Sequence, residues 1–217
     1  MIFGKIEYLN LLPFHIFMKR FSRTSQDKLI MNYKKNVPAK INHEFICRRV
    51  DAAFISSIKA KKYNSVNLGI IAKKEVRSVL VIPSKSNRDD KESASSNVLA
   101  SILKQQGEVL IGDKALKYAL LHNNYIDLAE LWNKRSNLPF VFALLCYHKD
   151  KKLYKKIEQQ FLKREYKIPQ YILKEAAIKT GIDKKEILSY LKLISYRVDY
   201  KAKLGVKRFY NEAKRVL

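Results

Sequence analysis

Residues 51–57 read Asp-Ala-Ala-Phe-Ile-Ser-Ser. The apolar run Ala52–Ile55 is too short for a helix face and shows no polar alternation. Such a run predicts a strand buried on both faces, the habit of a parallel sheet. The polar pair Ser56-Ser57 ends the strand and opens a short helix to about Tyr63. Similar strand–junction–helix units lie on both sides of it.

Upstream, Ile2–Tyr8 reads as a strand bounded by Leu-Asn-Leu-Leu-Pro, and Pro13 suits the first turn of a helix continued by Phe14–Phe21. Leu29–Tyr33 is a second short strand. Val37-Pro38 opens a helix over Ala39–Arg49, with Ile41, Phe45 and Ile46 on one face. Downstream, Val66–Ala72 and Val76–Ile82 are strands, and Pro83–Asp90 is a polar break. Hydroxyls in Ser93-Ala94-Ser95-Ser96 can cap the apolar run Val98–Leu103. Glu108–Ile111 is a strand ending in Gly112-Asp113, where Asp113 can cap a helix over Lys114–Leu121. Asp127–Arg135 is a helix and Leu138–Tyr147 a strand.

Beyond residue 147 the pattern predicts four helices with no strand between them: Lys151–Lys167, Pro169–Thr180, Asp183–Ser195 and Asp199–Val216. Gly181 fits a C-cap, and Asp183 with Glu186 fits a capping box. The alternation through residue 147 predicts an α/β fold with mainly parallel sheets and a helical C-terminal segment. No internal repeat is evident.

The chain has 217 residues with a net charge of +24, 47% hydrophobic and 11% aromatic residues. That is a globular composition, which excludes wholesale disorder, and the few glycines and prolines exclude collagen-like classes. No run reaches the length of a membrane span. The charge is uneven: residues 1–77 carry +11, residues 78–148 carry +1 and residues 149–217 carry +12. This break predicts two lobes: residues 1–77 with 144–217 form one, residues 78–143 the other, with a ligand cleft between them. The lysines of the flanking parts fall on amphipathic helices, as at Lys151, Lys152, Lys155 and Lys156. They read as solvated faces, or as a field that gathers an anionic substrate, and not as a nucleic-acid surface. There is no Cys/His finger and no aromatic nucleic-acid motif.

Met-Ile-Phe-Gly-Lys-Ile-Glu-Tyr lacks the pattern of a secretory leader and reads as a first strand. Cys47 and Cys146 are not in a Cys-x-x-Cys pair, and suit a reducing cytoplasm. His15, His43, His122 and His148 form no ligand pair, so no metal is expected. His15 draws interest because it follows the Asn10 loop, though a helix-face histidine is the plainer reading. There is no nucleophile elbow, phosphate loop or dinucleotide fingerprint, so no cofactor is expected.

Polar residues cluster where strands end: Asn10, Ser56-Ser57, Ser95-Ser96 at a helix start, and Gly112-Asp113. In open α/β sheets ligands bind beyond the carboxyl ends of strands, and helix N-termini favour anions. Taken singly, each reads as a helix cap; together they predict an anion-binding cleft. Ser78 lies in the crossing segment Arg77–Ile82, where its hydroxyl either bonds the backbone or faces the cleft.

Several of these segments also carry a family resemblance. Gly4-Lys-Ile-Glu-Tyr-Leu-Asn10-Leu-Leu-Pro13 and Asp51-Ala-Ala-Phe-Ile-Ser-Ser57 resemble two signatures of the chorismate dehydratase family, which opens the futalosine route to menaquinone. Arg77-Ser78-Val-Leu-Val, Leu110-Ile-Gly-Asp113 with Ala115-Leu116, and Asp127-Leu-Ala-Glu-Leu-Trp132 through Leu138-Pro-Phe-Val-Phe142 match in order and spacing, so the resemblance covers residues 1 to about 200. It implies a two-lobed, periplasmic-binding-protein-like (type II) fold in the cytoplasm. The sister dihydroxynaphthoate synthase family has Ile-His-Glu where this chain has Ile111-Gly112-Asp113, which favours the dehydratase. Many relatives carry Ser-Arg-Thr-Ser where this chain has Ser93-Ala94-Ser95-Ser96, so hydroxyls and backbone N–H groups would have to replace the arginine.

The implied reaction removes water from chorismate to give 3-enolpyruvylbenzoate. By this resemblance Asn10 and Ser78 are catalytic, and Ser56, Ser57, Ser95, Ser96, Gly112 and Asp113 hold substrate. The substrate's own enolpyruvyl carboxylate would take the proton. The partner is a small anionic molecule, with no nucleic acid and no stable membrane insertion, and the C-terminal helices could support a homodimer. Alternatives are a non-catalytic anion-binding protein of the same fold and the sister synthase.

Overall fold

The computed structural model describes residues 1–21 and 32–217. Its strands form two sheets. The larger contains β1 (Ile2–Lys5), β2 (Asn32–Lys35), β3 (Ala52–Ser56), β4 (Asn64–Ala72), β8 (Phe140–Tyr147) and β9 (Ile194–Arg197), in the order β2-β1-β3-β8-β4-β9. The smaller contains β5 (Val79–Pro83), β6 (Gly107–Ile111) and β7 (Ile126–Asp127), in the order β6-β5-β7. Of the predicted strand Leu29–Tyr33, residues 29–31 lie outside the described residues.

The helices are α1 (Leu12–Phe21), α2 (Pro38–Ile46), α3 (Ser57–Ala60), α4 (Ala94–Ile102), α5 (Gly112–Leu121) and α6 (Leu128–Ser136) in the first two thirds. The C-terminal part holds α7 (Lys151–Phe161), α8 (Gln170–Thr180), α9 (Lys184–Leu193) and α10 (Tyr200–Ala213). The predicted ends mark the observed ones well where a cap exists. The carboxylate of Asp183 accepts the Lys185 N–H, and that of Asp199 accepts the Ala202 N–H. Gly181 closes α8 in the left-handed region at φ 68°.

The expectation of mainly parallel sheets is corrected. Among the described strands, β1 runs parallel to β2 and β3. The pairs β3–β8, β4–β8, β4–β9, β5–β6 and β5–β7 are all antiparallel. β3 itself is buried throughout, as its apolar run requires, but it is parallel on one side and antiparallel on the other. Continuous burial reports covered faces, and a strand between two neighbours has those whichever way they run. The C-terminal segment is not purely helical either. Ile194–Arg197 is a strand pairing with β4 through Leu68↔Arg197 and Ala72↔Ile194. Four residues following directly on a helix are too few to show a two-residue period.

The core of the larger sheet centres on Phe14, whose ring lies 4.9 Å from Phe54 and 5.3 Å from Phe161. A second aromatic cluster, Trp132, Phe140 and Phe209, ties α6 and α10 to the start of β8. Gly205 permits that docking, because a Cβ there would lie 2.3 Å from the Pro139 carbonyl oxygen.

The chain leaves the larger sheet after β4 and enters the smaller at β5, and one carboxylate fixes this crossing. Asp127 accepts the N–H groups of Val76 at 2.8 Å and Arg77 at 2.6 Å, and also caps α6 through Ala129 and Glu130. Arg77 takes φ 58°, a left-handed turn that no glycine eases. β5 therefore begins at Val79 and not at Val76, and Ser78 is held at the mouth of the smaller sheet. Replacing Asp127 with Ala orphans four N–H groups. The expected cost is about 3 kcal/mol, lowering Tm by roughly 6–12 °C in a thermal melt. An unchanged Tm would mean that water satisfies these groups.

Candidate active site

A cavity of about 70 Å³ lies between the two sheets. Asn10, Ser56, Ser78, Ser95, Ser96 and Gly112, all singled out in the sequence, line it. Ile6, Phe54, Ile70 and Phe142 provide apolar wall. Among the described residues, no acidic or basic side chain lines it. The space holds roughly five waters, at about 10–15 Å³ each.

Asn10 sits on a 3₁₀ turn, Leu9–Leu11, directly after β1. Pro13 in the first turn of α1 explains the abrupt change of direction. The Asn10 carbonyl accepts a hydrogen bond from the Tyr196 hydroxyl at 2.6 Å. Its side-chain Oδ1 is buried and has no protein partner. An unpaired buried amide oxygen on a cavity wall is costly unless something in the cavity satisfies it.

Ser78 is 2% exposed. Its carbonyl accepts the Gly112 N–H at 2.9 Å, and its Oγ accepts the Tyr190 hydroxyl at 2.9 Å. Tyr190 is fully enclosed, and burial raises its phenol well above the ordinary range, so it stays protonated.

The remaining serines are held by each other and by Asn42. The Asn42 Nδ2 donates to Ser56 Oγ at 2.8 Å while its Oδ1 accepts the Ser56 N–H at 3.1 Å. Ser95 Oγ accepts the Ile58 N–H and lies 3.1 Å from Ser57 Oγ. Ser93 caps α4 by accepting the Ser96 N–H, and its hydroxyl donates to Ser96 Oγ at 2.7 Å. The first turn of α4 thus faces the cavity with hydroxyls and the positive end of its backbone dipole.

Two of the expected substrate contacts lie elsewhere. Ser57 is 0% exposed and is not part of the cavity wall. It opens α3 directly after β3 and offers its carbonyl to the Tyr210 hydroxyl at 2.8 Å. Asp113 does not cap its own helix, which has no side-chain cap. Instead it reaches across to accept the Leu9 N–H at 3.0 Å, and so holds the Asn10 turn from behind. Tyr8 closes the same side: its hydroxyl donates to Glu92, and its ring lies against Gly112. Gly112 has φ 69°, and a Cβ there would stand 2.7 Å from the Tyr8 ring.

Asn42, Ser93, Tyr190 and Tyr196 were not anticipated as site residues. Asn42 left a signal, an amide on the apolar face shared by Ile41 and Phe45. Tyr190 and Tyr196 left none among 13 tyrosines.

A larger hollow of about 420 Å³ lies on the far side of the Tyr8–Leu11 turn. Lys5, Lys35 and Lys179 gather there around Glu7, which pairs with all three. His15 lines it, pushed down to about 3 by burial and by Lys5, so it is neutral at physiological pH. Apart from Tyr8, which lines both spaces, none of the cavity residues reaches this hollow. No three His, Cys, Asp or Glu side chains come together among the described residues.

The fold recurs in solved structures of low sequence identity. A protein from Archaeoglobus fulgidus matches at 12% identity and TM-score 0.69, over 99% of this chain and 97% of that one. The periplasmic aliphatic sulphonate binding protein of Escherichia coli matches at 13% identity and TM-score 0.59, over 100% of this chain and 88% of the other. The class is therefore a periplasmic-binding-protein-like α/β fold. A family model described as menaquinone biosynthesis matches residues 92–215. A chorismate dehydratase from Campylobacter jejuni subsp. jejuni is 47% identical over 218 aligned positions, covering 99% of this chain and 98% of that one. This chain belongs to the menaquinone-biosynthesis family that includes that dehydratase.

The Asp113 carboxyl is raised to about 6 by burial, against the pull of the Leu9 N–H and the field of Lys179. A raised folded-state pKa means the folded chain binds the proton more tightly than the unfolded one. The stability it contributes is full below the unfolded value of 3.8 and is lost as pH rises through about 6. Asp113→Asn keeps an acceptor for Leu9 without the charge. It is expected to gain about 1 kcal/mol at pH 7, some 2–4 °C in Tm, and nothing at pH 3. A lower Tm at pH 7 would show that the charge on Asp113 is a net gain.

Proposed function

We infer that this chain dehydrates chorismate to 3-enolpyruvylbenzoate. The supporting observation is the lining of the cavity. In a member of this family, Asn10 and Ser78 meet hydroxyls and a helix N-terminus in a space without a charged side chain among the described residues. Such a site can orient and polarise but contains no residue able to take a proton at neutral pH.

Chorismate supplies what the site lacks. The ring carbon bearing the ether loses its proton to the substrate's own enolpyruvyl carboxylate. The neighbouring ring carbon loses its hydroxyl, the new double bond completes an aromatic ring, and proton and hydroxide leave together as water. Aromatisation drives the reaction, so the protein's part is alignment and stabilisation of the departing oxygen. Ser78 donates to that oxygen and Asn10 orients it. Ser95, Ser96 and the first turn of α4 hold a carboxylate. Ser56 adds polar wall beside them, with Asn42 fixing its hydroxyl.

A ring with two carboxylate arms is larger than the cavity, so substrate enters as the parts carrying the two sheets separate. The lobes proposed for this motion are residues 1–77 with 144–217, and residues 78–143. Among the described residues no helix is long and apolar enough to cross a membrane. Action in the cytoplasm is part of this reading.

Chorismate incubated with the purified chain should give a product lighter by one water with an aromatic absorption band. Asn10→Ala and Ser78→Ala should each slow turnover by about tenfold or more. Chorismate recovered intact at high protein concentration would overturn the reading in favour of a binding protein. Wild-type rates in both variants would sink the residue assignment alone.

A further inference from the structure

Tyr190 stands behind Ser78, one of the two residues assigned to catalysis. Its hydroxyl donates to Ser78 Oγ at 2.9 Å. A phenol hydroxyl has one proton to give, and here Ser78 accepts it.

The polarity of Ser78 follows. Asn10 lines the same cavity, and its Oδ1 is a buried acceptor without a protein partner. Ser78 accepts from Tyr190, so its own single proton is free to point into the cavity, which it lines. The backbone of Ser78 cannot swing to change this, because Gly112 N–H holds its carbonyl. The cavity therefore presents an acceptor, Asn10 Oδ1, beside a donor, the Ser78 hydroxyl. One neutral hydroxyl can satisfy both, donating to the first and accepting from the second.

We propose that Tyr190 is a positioning residue whose phenol directs the Ser78 proton into the cavity and makes Ser78, beside the Asn10 acceptor, a seat for a single substrate hydroxyl, the one that leaves. This rests on the dehydration reading above. Tyr190 touches no substrate in this arrangement and acts through Ser78. As the C–O bond lengthens, charge grows on the leaving oxygen. The hydrogen bond from Ser78 then strengthens, supported by the one behind it from Tyr190.

The test is a double-mutant cycle of Tyr190→Phe and Ser78→Ala, read as kcat and KM for chorismate, with thermal melts as a check on folding. Tyr190→Phe keeps the ring and removes the hydroxyl. The expected result is a fall in kcat of about tenfold or more with KM within about threefold. In the Ser78→Ala background the same change should cost less than about twofold, since the residue through which it acts is gone. Equal losses in both backgrounds, a rise in KM with kcat unchanged, or wild-type kinetics would overturn the proposal. If the phenylalanine variant does not fold, 3-fluorotyrosine placed at position 190 keeps ring and hydroxyl and is a stronger donor. A raised kcat at unchanged KM then supports the proposal, and an unchanged or lowered kcat overturns it. Wild-type chain that leaves chorismate intact overturns the dehydration reading and this proposal together. Active wild type with an indifferent Tyr190 overturns this proposal alone.

Discussion

Four backbone N–H groups converge on the carboxylate of Asp127, and the geometry of the cavity depends on that convergence. Val76 and Arg77 belong to the crossing between the sheets, Ala129 and Glu130 to the start of α6. A carboxylate 6% exposed is costly to ionise, and burial does push this one up from its ordinary value. Four donors offset much of that cost, because charge-assisted hydrogen bonds are the strong ones. The result is a joint held by four hydrogen bonds. The left-handed Arg77 is tolerable for the same reason: a strained residue persists where its neighbours over-determine it. Ser78, next in the chain, inherits its place from this joint.

The two sides of the cavity are then tied by contacts between residues far apart in the chain. Tyr8 meets Glu92, Leu9 meets Asp113, and Tyr190 meets Ser78. Tight apposition allows little tolerance, which is why Gly112 is bare where the Tyr8 ring presses on it. Water would satisfy the same groups if they were exposed, so these contacts act mainly on geometry.

This division explains what the sequence could show. Ala52–Ile55 announced a buried strand because burial on both faces leaves no polar residue in the run. Caps at Asp183 and Gly181 were legible because they act within a few residues. Strand direction was not, since β3 has the same covered faces beside parallel β1 as beside antiparallel β8. Asn10, Ser78 and the serine pairs were visible as polar residues at strand ends. Their partners were not: Asp113 looked like a cap for its own helix and instead holds a turn 104 residues away. Tyr190, 112 residues from Ser78, carries no local mark of its role.

A chain with net charge +24 encloses a cavity whose described lining is uncharged, and for the proposed chemistry the combination has a purpose. A positive exterior draws an anionic substrate in from a distance. A cation inside would help hold its carboxylates but would also lower the basicity of the one that must take a proton. Hydroxyls and a helix N-terminus hold an anion with partial charges, spread over several atoms, and weaken its basicity less than a guanidinium in bidentate contact would. With the base supplied by the substrate, the protein's remaining task is to hold one hydroxyl in the right direction. The fixed polarity of Ser78, beside the Asn10 acceptor, suits that task.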